Sequence, residues 1–236
     1  MIKHNTKFMI VIATSWVLAG CGLIGTAEPT PISIEDELAI IVPRGEQPFI
    51  DGTIDQREWS GAYSILLSSG EEILLMGGEG YLYLGIRSKP DPLVSICVDR
   101  GGVVAILHSS AALGTGLYQE GTDVWEQIQA FSWRCRDTTN SAEAQAERAD
   151  FLEQEGWIAS DGEMGVTGEV EFQIEIPESV LRLAVSSIGA PDYREVAIWP
   201  EGLRDDCGNL HLLTGPIPER VDFSPEEWMT LTVAPQ

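Results

Sequence analysis

Alternation with a period of two dominates the chain from Phe49 onward. The run Glu169-Val170-Glu171-Phe172-Gln173-Ile174-Glu175-Ile176 alternates without a break. As a strand it turns Val170, Phe172, Ile174 and Ile176 to a core and Glu169, Glu171, Gln173 and Glu175 to water. Residues 80–87 do the same with Leu82, Leu84 and Ile86, as do Val94, Ile96 and Val98, and Met229, Leu231 and Val233. Residues 103–107 are apolar throughout, the pattern of a central strand buried on both faces. Turn signals separate these runs: Gly77-Gly78, Pro90-Asp91-Pro92, Gly101-Gly102 and Asp161-Gly162. One-faced strands at this spacing predict an all-β fold, an antiparallel β-sandwich.

One segment departs from the period. Residues 141–155 are rich in Ala, Glu and Gln, and Ala142, Ala146, Ala149 and Leu152 recur at helical spacing. Asn140 is placed to cap this inserted helix, with Glu143 three residues on and Gly156 to end it. A short helix is also expected over 178–181, after Pro177. Residues 22–45, with Pro29, Pro31 and the acidic Glu35-Asp36-Glu37, read as a tether, which places the folded domain at 46–236.

The first residues carry Lys3, His4 and Lys7 and no acid. A short apolar run over 9–18 follows, broken only by Thr14 and Ser15. This is the layout of a secretory signal, and the run is too short to cross a bilayer, which takes about 20 apolar residues. Leu18-Ala19-Gly20-Cys21 then resembles the lipobox of bacterial lipoproteins. The resemblance implies a signal peptide over 1–20, a diacylglycerol thioether on Cys21 and attachment to the cell envelope through lipid alone. Gly22, rather than Asp, after the cysteine implies the outer membrane in a cell with two. Acyl chains contribute about 0.8 kcal/mol per buried CH₂, so two or three of them hold a protein firmly.

Loss of the signal removes two lysines and no acid. Twelve basic residues then face thirty-seven acidic ones, a formal charge of −25. Such a surface repels nucleic acid and anionic headgroups, so neither is expected as a partner. Beyond Cys21 lie Cys97, Cys135 and Cys207. An exported compartment permits disulfides, and an odd number leaves one thiol over. Cys135 and Cys207 both lie beside polar, loop-like sequence and are the expected pair, whereas Cys97 falls inside an apolar strand.

Residues 49–62 contain Ile50-Asp51-Gly52, Asp55, Glu58-Trp59 and Ala62. This resembles the opening of the family 9 carbohydrate-binding module-like (DOMON-like) superfamily. Asp51-Gly52 suits a tight turn, Asp55 a cap on a single helical turn, and Trp59 a place in the core. Gly80-Tyr81-Leu82-Tyr83-Leu84 and Phe172-Gln173-Ile174-Glu175-Ile176-Pro177 resemble later strands of the same pattern. The stretch 108–158 has no counterpart in it. The resemblance implies a β-sandwich that binds a ligand rather than one that catalyses a reaction.

The candidate chemistry follows from these two readings. Sugar binders stack pyranose C–H groups on indole faces. Trp125, Trp157 and Trp199 stand beside loop signals and are the candidate platforms, although a place in the core suits any one of them better. Trp133 alternates with Phe131 and Cys135 and reads as core. Asp161, Glu163, Asp205 and Asp206 are candidate Ca²⁺ ligands, since hard oxygens suit that ion, but their spacing matches no dedicated calcium loop. Some relatives of the fold bind haem through Met, Lys or His, which draws attention to His108 and His211, yet there is no CxxCH. No Gly-x-Ser-x-Gly, His-Glu-x-x-His or phosphate loop is present. The expectation is a non-catalytic surface lipoprotein that binds extracellular carbohydrate. The alternatives are a lipoprotein that docks another envelope protein, or a haem-bearing electron-transfer domain.

Overall fold

The structure is a computed structural model that describes residues 38–135, 141–162, 166–176, 180–209 and 211–235. Cys21, the preceding signal and Glu163 lie outside these residues. The fold is an antiparallel-rich β-sandwich with one long helix.

The larger sheet is built from β1 (Ala39–Val42), β5 (Leu93–Asp99), β6 (Val103–Ser109), β7 (Ala112–Glu120), β8 (Trp125–Cys135), β11 (Val180–Ile188), β12 (Ala197–Trp199), β13 (Arg220–Val221) and β14 (Met229–Val233). Its order is β1-β14-β11-β5-β6-β7-β8-β13, with β12 also paired to β11. The smaller sheet contains β2 (Tyr63–Leu66), β3 (Glu72–Gly78), β4 (Tyr81–Arg87), β9 (Trp157–Asp161) and β10 (Glu169–Glu175), in the order β2-β3-β4-β10-β9. β1 pairs with β14 in parallel, Ala39 opposite Thr230. The sandwich therefore begins inside the stretch expected to be tether, because residues 39–42 can bury Val42 in the main core.

The alternating residues meet between the sheets as expected. Ile96, Val98, Leu107, Leu183 and Leu231 of the large sheet face Leu75, Leu84, Ile86, Phe172 and Ile174 of the small one. Each fully buried side chain of this size contributes about 1.5–3 kcal/mol.

Both sheets are also covered on their outer faces, which alternation does not reveal. A second cluster lies outside the large sheet, where Cys97, Val104, Ile106, Tyr118 and Ala184 meet Leu203, Cys207, Val221, Phe223 and Trp228 from the C-terminal segment. A third lies outside the small sheet, where Leu74, Met76 and Tyr83 meet Ile54 and Trp59. Glu171 and Gln173, expected in water, are consequently buried beneath the segment that carries the opening motif.

Helix α1 (Ala142–Glu155) forms where expected, with its details changed. Its cap is Ser141, whose Oγ accepts from the Ala144 amide, and Gly156 ends it at φ +71° with its N–H donating to the Leu152 carbonyl. Asn140 lies outside the described residues. The buried face is Ala144 and Phe151, not the alanine stripe, since Phe151 alone is large enough to reach Trp157, 5.3 Å away edge to face. Replacing Ser141 with alanine should lower stability by about 1 kcal/mol. Chemical denaturation that detects no change would show that this cap contributes nothing. The short helix expected over 178–181 is not found at its C-terminal end, where Val180 and Leu181 belong to β11. Their register opposite Thr232 and Leu231 commits them to the sheet.

Candidate functional site

The tryptophans expected to be platforms are all buried. Trp157 stacks on Phe172 at 6.1 Å in the main core and donates its indole N–H to Thr115 Oγ1 at 2.8 Å. Trp199 lies in the same core, opposite Val185. Trp125 packs under Phe223 outside the large sheet and donates to the Phe223 carbonyl at 3.0 Å. Each has its ring covered and offers no face to a sugar. The loop signals beside them mark chain reversals, not exposure of the rings.

The exposed aromatic pair is elsewhere. Trp133 is 50% exposed, although its alternation with Phe131 and Cys135 reads as core. It lies on the outer face of β8, where the C-terminal cover stands off and leaves a groove between Trp133 and residues 215–217. The rings of Phe131 and Trp133 are stacked, with centroids 5.1 Å apart and planes 24° from parallel.

Two glycines of the neighbouring strand seat this pair. Gly114 stands opposite Trp133 in the ladder, and a Cβ on it would come within 2.6 Å of the indole. A Cβ on Gly116, at an irregularity in the β7–β8 register, would overlap the Phe131 ring. An aromatic laid over a cross-strand glycine covers backbone that would otherwise be wet. Gly114-x-Gly116 opposite Phe131-x-Trp133 is thus the signal in the sequence for this shelf, and it is legible only once the two strands are known to be neighbours.

A groove of about 280 Å³ runs along the shelf, between Gln127, Phe131 and Trp133 on one side and Gly215, Pro216 and Ile217 on the other. The far wall is anchored: the Tyr118 hydroxyl donates to the Pro218 carbonyl at 2.8 Å, and the Gln127 amide N–H to the Glu219 carbonyl at 2.8 Å. Burial pushes the Tyr118 hydroxyl up to about 12, so it remains a donor at neutral pH. His108 meets Trp133 edge to face at 5.3 Å, and its Nδ1 is 2.9 Å from Ser95 Oγ. It is a buried histidine that supports the shelf from β6. Nothing is described of the His211 side chain.

The expected calcium ligands do not converge. Asp161 ends β9, opposite Val170 in the small sheet. Asp205 caps, and Asp206 begins, a 3₁₀ turn (Asp206–Gly208) on the other side of the molecule, and both are occupied by protein donors. Asp205 accepts from the amides of Cys207 and Ser224 and from Trp228 Nε1 at 2.7 Å. Asp206 accepts from the Asp222 amide and from Asn209 Nδ2. Their role is to fasten the C-terminal cover. Among the described residues, no three His, Cys, Asp or Glu side chains are grouped as a metal site.

The disulfide also differs from expectation. Cys97 bonds to Cys207, while Cys135 is free and exposed. Cys97 points away from the main core, opposite Ala184 and Ile106, so the C-terminal segment that covers this face brings Cys207 to it.

The chain as a whole matches no protein-family model, no curated protein and no solved structure.

Proposed function

We propose that this protein is a non-catalytic binder of extracellular carbohydrate, held at the cell envelope by lipid on Cys21, and that the Phe131–Trp133 shelf is its sugar platform. The observation that carries the reading is a half-exposed indole backed by a stacked phenyl ring beside an open groove. A ring held in place by its neighbours loses little entropy when a pyranose settles on it. Gln127, whose Nε2 donates to the Tyr118 hydroxyl at 3.2 Å, offers its amide oxygen for directional hydrogen bonds in the groove. The export signal and the superfamily-like opening motif agree with this reading, and fold likeness alone does not fix function.

A glycan array with the mature protein tests it. One glycan class should be retained, and Trp133→Ala should weaken that binding by about fivefold, the loss expected when stacking of roughly 1 kcal/mol is removed. Because Trp133 is half exposed, the variant should still fold. Binding that survives the substitution unchanged would remove the shelf from the proposal.

One observation favours the docking alternative. Beyond Gln127, which donates to the Glu219 carbonyl, β8 pairs with no further strand among the described residues on its β13 side, and Ile128 is exposed along it. An open edge of this kind can take a strand from a partner. An array that stays silent with folded protein would favour this second reading.

A further inference from the structure

A second groove, of about 440 Å³, opens on the opposite sheet, between the segment leading into the opening motif and helix α1. Its walls include Phe49, Ile50 and Leu152, with Arg148 on the helix side, and its floor includes Ile158 and Gln173. Gln173 stands on β10 between Tyr83 of β4 and Ile158 of β9. It is only 5% exposed, and among the described residues nothing hydrogen-bonds its side-chain amide. The amide is not sealed in the interior, in contrast to Tyr83 Oη and Ser186 Oγ, so what it bonds reaches it through the groove. Since the amide lines the groove, its partner is to be sought there.

The chemistry of that partner can be read from the walls. A primary amide asks for one acceptor and one donor side by side. A secondary amide in a ligand presents both. The apolar side chains around Gln173 would enclose a small methyl group and would disfavour a hydroxyl left without a partner. Phe49, at the mouth, is 75% exposed, which leaves its ring available to stack on the C–H face of a sugar. The Phe49 amide is tied to Glu58 Oε2 at 3.1 Å, which holds this residue beside the opening motif.

We propose that this groove is a separate site for an acetamido sugar, with the acetamido group on Gln173 and the pyranose ring on Phe49. The site does not depend on the aromatic shelf, which lies on the other sheet. Ligand-observed NMR titration of the mature protein with N-acetyl-D-glucosamine, D-glucose and acetamide tests it. The acetamido sugar should bind at least tenfold more tightly than either of the others. Gln173→Leu should weaken it at least tenfold and Phe49→Ala at least threefold, while Trp133→Ala leaves it unchanged. Phe49 is exposed, so its variant separates loss of binding from loss of fold. Equal binding of glucose or acetamide, absence of binding to the folded wild type, or insensitivity to both groove variants would each overturn the proposal. Loss of binding in Trp133→Ala would do so as well, by assigning the sugar to the shelf.

Discussion

Replacing Glu171 with alanine should lower the unfolding free energy by about 2–6 kcal/mol, because two buried donors lose their acceptor at about 1–3 kcal/mol each. Glu171 is wholly buried on the outer face of the small sheet. Its Oε1 accepts from Trp59 Nε1 at 2.8 Å, and its Oε2 from the amides of Gly52 at 2.8 Å and Asp51 at 3.0 Å. One side chain thus gathers the turn and the tryptophan of the opening motif onto the sheet. The neighbouring row completes the clasp: Glu169 accepts from the Ile54 amide and from Arg87, and Arg87 donates to the Ile54 carbonyl. Gly85, opposite Glu171, leaves the space in which the Trp59 ring lies, 3.3 Å from where a Cβ would be. Gly52 has φ +90° and faces the Asp161 carbonyl where any side chain would overlap it.

Burial pushes the Glu171 carboxyl up to about 7, outweighing its three hydrogen bonds, and the nearby Asp51 carboxylate adds to the rise. The folded state therefore keeps this proton up to about pH 7, whereas the unfolded chain releases it near the ordinary value of 4.5. Between those values the folded state binds more protons, so stability falls as pH rises, by about 3 kcal/mol across the window at 1.36 kcal/mol per unit. It is fully present below about 4.5 and flat above about 7. Glu171→Gln should remove that slope. It should also be less stable than the wild type at low pH, since its NH₂ must face an N–H donor. Urea unfolding from pH 4 to 8 measures both effects. An alanine variant within half a kcal/mol of the wild type would show that the clasp does not hold the motif in place.

The second large effect concerns Cys97–Cys207. The bond joins residues 110 apart in sequence, and a cross-link closing a loop of about 100 residues contributes about 4.7 kcal/mol by restricting the unfolded chain. It pins the C-terminal cover to β5, in the middle of the large sheet. The Cys97→Ala/Cys207→Ala variant should lose about 4–5 kcal/mol, with the cover loosening first, and Cys135→Ala should lose almost nothing. Peptide mapping without reduction should find 97 linked to 207 and residue 135 open to alkylation. A linked 135–207 peptide, or a double variant as stable as the wild type, would overturn the pairing.

What could be read from the residues, and what could not, divides along a physical line. Residues 169–176 announce a strand with one apolar face, and that face does lie in the core. The same residues say nothing about the other face, because glutamate and glutamine report their own polarity and not what covers them. Glu171 therefore reads as solvated until Trp59 and Gly52, more than a hundred residues earlier, are found against it. Trp133 errs in the opposite direction. Its period places it correctly on one side of β8, and only the stand-off of the C-terminal segment at 215–217 leaves that side open as a groove.

Local sequence by itself determined the all-β class, the turns at 90–92 and 101–102, the single long helix and the motif that becomes the clasp, since these depend on periodicity, glycine and capping within a few residues; the turn expected at Gly77-Gly78 falls instead at Glu79-Gly80, because Gly77 and Gly78 pair with Leu82 and Tyr81 in the ladder. The tertiary structure alone decided which tryptophans are exposed, which cysteines meet, why Glu171 keeps its proton and where the Gln173 amide opens onto a groove. Each of these depends on what a distant segment lays over the outer face of a sheet, and burial, desolvation and cross-linking are properties of both surfaces in contact, not of either strand alone.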